Sequence, residues 1–225
     1  MKKTTIFTLG IFGLIVLGSI LFAQPMNGKM ETGVCSKAEV DLKLGMRKLL
    51  EDHITYTRNY IISSVANLED ANAVSQRLLK NQDDIGDAIK PYYGDAVGEK
   101  LADLLREHIM IATEVFKAAK ADDKEGLTKA QAKWNMNADE IATFLSGANP
   151  NWLKKDLTDM LYKHLDYTAG EATSRLKKDW AADIDFYDKG HAHMLMFADM
   201  LTDGIVKQFS AKFGSVTSVK DANSY

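Results

Sequence analysis

The chain has 225 residues, 46% of them hydrophobic and 26% charged, a balance that supports one sizeable buried core. Its 28 basic and 31 acidic residues leave a formal net charge of −3 and form no basic stripe, so no nucleic-acid partner is expected. A single cysteine, Cys35, excludes an intramolecular disulfide framework.

The first 23 residues differ from the rest. Lys2 and Lys3 precede an uncharged apolar run from Ile6 to Ala23, the pattern of an export signal. That run is 18 residues long (23 − 6 + 1), close to the minimum for a spanning helix, and Leu21 is a poor residue three positions before a cut after Ala23. Residues 1–23 therefore read either as a signal peptide or as an uncleaved membrane anchor. Both place the body on the extracytoplasmic side, secreted, periplasmic or anchored, with the membrane met only through this segment. Without the leader's two lysines the balance is 26 basic against 31 acidic residues, net −5. Residues 24–37 read as a flexible linker carrying Cys35.

From residue 38 apolar residues recur every three or four positions, which predicts helices near 38–66, 71–89, 95–120, 124–147, 152–177 and 180–209. The strongest breaks are "KPYYGD" (90–95) and "GANPNW" (147–152), with weaker turns at "ANLEDA" (66–71) and "KADDKEG" (120–126). The last boundary is open: "TAGE" (168–171) fits a capping box, and one long helix across 152–209 is an alternative. The aromatics of "KPYYGDAVG" are expected to close an end of the bundle. Residues 214–225 read as a disordered tail. The fold class is thus all-α, a single helical-bundle domain over 38–213 built from about three up-down hairpins.

His53, His108 and His164 divide this body evenly, 55 residues apart (108 − 53) and then 56 (164 − 108). Each has a leucine three positions before it and an isoleucine or leucine just after it, in "LLEDHITYT", "LLREHIMIA" and "MLYKHLDYT". A period near 55 with a central turn means one helical hairpin used three times. The strings "NQDDI" (81–85) and "NADEI" (137–141) add a second match, while the third unit has "DKGHAHM" (188–194) at that place. Equal distances from each turn pair His53 with Asp84, His108 with Glu140 and His164 with His191. The expectation is one polar layer across the bundle.

Imidazoles and carboxylates projected inward from facing helices are how bundles hold iron, manganese or zinc. The candidate metal ligands are therefore His53, Asp84, His108, Glu140, His164 and His191. Asp188, one turn from His191, and Glu171 stand as alternative or supporting ligands. The Glu-x-x-His pairs of di-iron bundles are absent, since Leu50, Leu105 and Leu161 occupy the positions three before the histidines. Copper at "HAHMLM" (191–196) is opposed by geometry, because His191 and His193 point about 200° apart on a helix. Arg58 is expected either to meet an acid across the core or to reach solvent along its stem. No phosphate-cradling glycine loop is present, so neither nucleotide nor flavin is expected. The alternative to a metal site is an envelope structural or interaction module whose polar layer serves packing alone.

The strings "DHITYTRNYIIS" (52–63), "RLLKNQDDIGDAIKPYYG" (77–94) and "HLDYTAGEATSRLKKDWAADI" (164–184) resemble an uncharacterised family of small bacterial all-helical proteins. The likeness covers most of the chain after residue 38 and implies the same helical fold. Some members carry a glycosyltransferase label, yet a nucleotide-sugar transferase needs alternating strands and helices with an acidic metal motif on a loop. This sequence has neither.

Overall fold

A computed structural model describes residues 35–214. The leader at 1–23, nearly all of the 24–37 linker and all of the tail except Gly214 lie outside them. The described residues form seven helices and no strand: α1 (Lys37–Ala66), α2 (Ala71–Tyr93), α3 (Asp95–Lys120), α4 (Lys124–Ala148), α5 (Lys154–Leu176), α6 (Trp180–Gln208) and the short α7 (Ser210–Phe213). None of them is long and apolar enough to cross a membrane.

Each long helix packs against the next in sequence, and α6 packs back against α1, so six antiparallel helices close into a ring. Across this ring α5 also meets α1 and α3, which places the three histidine-bearing helices, all running the same way, around the axis. The core is one continuous cluster drawn from all the helices, including Met46, Ile85, Trp134, Leu157 and Ile205.

The three hairpin turns share one construction. Asn67, Asp122 and Lys178 adopt left-handed backbone with φ of 53°, 53° and 61°. In each case the next residue's N–H reaches back to the carbonyl five positions earlier: Leu68 to Ser63 at 2.8 Å, Asp123 to Ala118 at 3.0 Å, Asp179 to Ser174 at 2.9 Å. This double closure satisfies carbonyls that a helix end leaves free. After the second and third turns the following helix starts at once, with the side chains of Asp123 and Asp179 accepting from the N–H groups of Gly126 and Ala182; after the first, α2 starts at Ala71. The left-handed residues each follow a histidine by 14 positions (67 − 53, 122 − 108, 178 − 164). The repeat seen in the histidines is therefore a repeat of whole hairpins.

Helix boundaries follow the expected ones closely, with two instructive departures. Helix α2 runs through Pro91 to Tyr93 instead of stopping at 89, because a proline on the exposed face of a final turn removes only one terminal bond. Gly94 alone makes the link to α3, with φ of 85° and ψ of 168°, a conformation open essentially to glycine. The break between α5 and α6 falls at Lys177–Asp179, so neither a single long helix nor a start at Thr168 occurs. Thr168 lies in mid-helix and its hydroxyl donates to the His164 carbonyl at 2.9 Å.

One end of the ring is closed by aromatics, as the sequence suggested. Tyr93 packs against Trp152 and, edge-on at 5.1 Å between centroids, against Phe209; Tyr92 stacks on Phe213 at 5.8 Å. The seam between α1 and α6, which no turn links, carries three polar rungs. Arg47 donates to Asp199 at 2.6 Å, Glu51 meets His191 at 3.2 Å, and Arg58 meets Asp183 at 3.1 Å.

Lysine has no side-chain means of easing left-handed backbone, which costs an L-residue about 1–2 kcal/mol. Lys178→Gly is expected to raise stability by about 1 kcal/mol and Tm by about 2–4 °C. Urea and thermal unfolding check this; a fall in Tm would contradict the turn as described.

Candidate functional site

The three histidines meet. His53, His108 and His164 are each at most 5% exposed and converge from α1, α3 and α5 onto the axis. The Nε2 atoms of His53 and His164 lie 3.4 Å apart, with ring centroids 5.3 Å apart and planes inclined by 55°. His108 stacks on the other side of His164, with centroids 6.0 Å apart and planes within 24°.

Their partners are neutral amides and an indole, not the carboxylates expected. Gln82 lies 3.3 Å from His53 Nδ1, and Asn137 Oδ1 lies 2.8 Å from His108 Nδ1. Trp134 Nε1–H donates to His108 Nε2 at 3.1 Å. A second set of contacts clasps the backbone one turn before each histidine. Asn81 and Asn137 donate from Nδ2 to the carbonyls of Leu49 and Leu104, both at 3.1 Å, and His193 Nε2 reaches the carbonyl of Met160 at 2.8 Å. These carbonyls stand four residues before His53, His108 and His164 respectively.

Tautomers follow from these partners. Gln82 Nε2 also donates to the Leu78 carbonyl at 2.8 Å, so the atom facing His53 is the amide nitrogen and His53 Nδ1 accepts. His53 then carries its proton on Nε2, directed at His164 Nε2, and His164 carries its own on Nδ1. His164 Nδ1 is buried without a partner, as is Gln82 Oε1. On the other branch the indole can only donate, so His108 Nε2 accepts and its Nδ1–H donates to Asn137. All three rings are neutral. Burial pulls His53 down to about 3, helped by His108 and opposed by the Gln82 bond. Burial pulls His108 down to about 4 against the Asn137 bond. His164 lies well below the ordinary histidine value because it is buried, with His53, His108 and His193 adding to the effect.

The remaining expected ligands are elsewhere. Asp84 pairs with Lys80 on the half-exposed side of α2, and Glu140 and Asp188 are exposed. His191 sits on the α1/α6 seam with Glu51, and His193 takes the buried place instead. The midpoint pairing erred by two or three residues because the hairpin axis passes just beyond the left-handed turn residue. Positions level with the histidines are 29 residues on: Gln82, Asn137 and His193 (82 − 53, 137 − 108, 193 − 164). Two of these lie in the "NQDDI" and "NADEI" strings, so the signal was present in the asparagine and glutamine, not in the acids. Trp134 had no sequence signal beyond its packing position.

Glu171 belongs to a second buried centre. Arg58 donates to Glu171 at 2.7 Å and to Asp183 at 3.1 Å, and Arg175 donates to Asp183 at 3.0 Å. Both carboxylates are 1% exposed. Burial pushes the Glu171 carboxyl up to about 7 even though Arg58 opposes it. Arg58 meets acids across the core, and Asp183 is a buried partner that sequence reasoning missed.

The histidine layer separates two internal spaces. Toward the aromatic end lies a cavity of about 60 Å³ with an apolar wall, to which each of the six long helices contributes: Leu50, Ile85, Leu101, Ile141, Leu161 and Phe197, with the three histidines and Gln82 at one side. Toward the other end is a space of about 10 Å³ among the histidines, Thr57, Ala112 and Thr168. Among the described residues no three His, Cys, Asp or Glu side chains are set to hold one metal ion together. No family model, curated protein or solved structure matches the chain.

The pH dependence of stability has a definite sign. Folded-state values below the unfolded 6.5 mean that the histidines' contribution is present above pH 6.5 and is lost as pH falls toward 4 and 3, by about 1.4 kcal/mol per unit for each ring. Glu171, raised to about 7, acts oppositely: its contribution is complete below its unfolded value near 4.5 and lost as pH rises through 7. Three rings outweigh one carboxyl. Urea unfolding is expected to show stability falling by roughly 1–3 kcal/mol per unit between pH 6 and 4.5. Constant stability from pH 7 to 5 would show that the rings are not held neutral.

Proposed function

We propose that this protein binds a transition-metal ion between His53 and His164 on the bundle axis and acts as an extracytoplasmic binder or sensor. One observation carries the reading. Two imidazole nitrogens bound at about 2.0–2.1 Å to a tetrahedral ion lie about 3.3–3.4 Å apart, and the two Nε2 atoms are 3.4 Å apart. That spacing is long for an N–H···N hydrogen bond. Both rings are already neutral, as ligands must be. His108 is the third donor, exchanging its Trp134 bond for the ion.

The donor set narrows the choice of ion. With Asp84, Glu140 and Asp188 at the surface and Glu171 held by Arg58, nitrogen ligands remain, which suit zinc first and iron second and disfavour manganese. A dication among neutral ligands needs compensating charge, which a hydroxide bound to the ion itself would supply. The extracytoplasmic assignment rests on Lys2, Lys3 and the apolar run from Ile6 to Ala23.

The second reading is a purely structural layer, favoured by the engagement of both His108 nitrogens and by the clasping of Leu49, Leu104 and Met160. Tag-free, chelator-treated protein titrated with zinc separates the two. The metal reading expects one equivalent bound and a Tm rise of about 5–10 °C at a hundredfold excess over Kd. His53→Gln and His164→Gln abolish this, whereas His191→Gln and Glu140→Gln leave it intact. Sub-stoichiometric metal with no change in Tm for zinc or iron would overturn the reading and leave the structural layer.

A further inference from the structure

We infer that the groove between α3 and α4, on the outside of the ring, is a docking site for a basic amphipathic helix of a partner protein. The inference stands on surface side chains and does not depend on a metal. Two adjoining depressions of about 360 and 510 Å³ form the groove, and they share Glu140. Along α3 the groove runs from Lys100 to Glu114, 14 positions (114 − 100) or about 21 Å at the helical rise. That length suits about four turns of a bound helix and exceeds a small ligand.

Apolar side chains line the groove from both helices. Met110 and Met136 are 53% and 63% exposed and share one depression with the buried Ile111; Leu104 and Phe144 line the other. A large apolar side chain exposed singly is ordinary, but two lining one groove from opposite helices make a patch. Methionine is unbranched and adapts its shape to what packs on it. Helices that dock in such grooves present apolar anchors at i, i+3, i+4 and i+7.

The charge of the groove selects the partner. Glu107, Glu114, Asp139 and Glu140 line it against only Lys100 and Lys133. Lys133 is committed to Glu114 at 3.1 Å, and Asp139 accepts from the Tyr162 hydroxyl at 3.0 Å. Glu107 and Glu140 stand exposed on opposite walls of the first depression and meet no cation among the described residues. Lysines or arginines flanking the apolar stripe of a docked helix would complement them. A second copy of this chain, with its net charge of −3, would bring like charge to the groove.

Methyl NMR of the metal-free full chain tests this with a capped peptide of about four helical turns, built of leucine and lysine with leucine at i, i+3, i+4 and i+7. Saturable shifts are expected at the Met110 and Met136 methyls and none at Met196, which is 58% exposed on α6. The double variant Glu107→Lys, Glu140→Lys is expected to bind about tenfold more weakly. Glu69→Lys, at an exposed acid in the turn after α1, is expected to leave affinity unchanged. All three positions are exposed, so the variants keep the fold. The same peptide with glutamate for every lysine is expected not to bind. Absence of saturable shifts at Met110 and Met136, or equal shifts at Met196, overturns the groove as a docking site. Equal affinity for the glutamate peptide, or undiminished affinity in the double variant, overturns the basic partner. Metal-free protein keeps either failure distinct from failure of the metal reading.

Discussion

Three uncharged imidazoles share the axis of the bundle, and much of the surrounding architecture follows from the need to keep them uncharged. Charge on closely spaced rings in an apolar interior is prohibitive, so every neighbour that touches them is neutral: Gln82, Asn137, Trp134 and the rings themselves. Those partners sit on the second arm of a hairpin, and only one register brings them level. The left-handed residues Asn67, Asp122 and Lys178, each 14 positions past a histidine, hold that register. Asn81, Asn137 and His193 lock it by gripping the backbone of the first arm.

The second buried polar centre follows the opposite rule. Arg58, Glu171, Asp183 and Arg175 set basic groups against acidic ones, with Arg58 opposing the burial that pushes Glu171 up to about 7, two turns (about 10 Å) along α5 from His164. A buried ion network is poor evidence for net stability, and its use here is specificity of assembly. It ties α5 and α6 to α1, across the α1/α6 seam that no turn links. Arg47 with Asp199 and Glu51 with His191 continue the same seam. The ring is thus covalently linked at five junctions and electrostatically matched at the sixth.

The helices, the hairpin period and the convergence of the histidines were legible because each is written in a local or periodic signal. Apolar spacing marks α1 to α6, and the 55- and 56-residue intervals mark the repeat. The carboxylate partners were misplaced for a physical reason. A midpoint set by capping residues misses the hairpin axis by about one residue, which moves the partner by two or three positions and to another face of the helix. Acids also drew attention that belonged to Asn and Gln, although a neutral layer calls for amides. The Glu171–Asp183 centre depends on contacts across more than a hundred residues from Arg58, which no short motif records.

The protonation of the axis is the point on which the metal reading rests. Side-chain ¹⁵N NMR of the histidines in the metal-free protein reads it directly. The account predicts three neutral, non-averaging rings from pH 7 to 5: His53 protonated on Nε2, and His108 and His164 on Nδ1. Titration of any of the three near pH 6.5, or rapid averaging between tautomers, would contradict it.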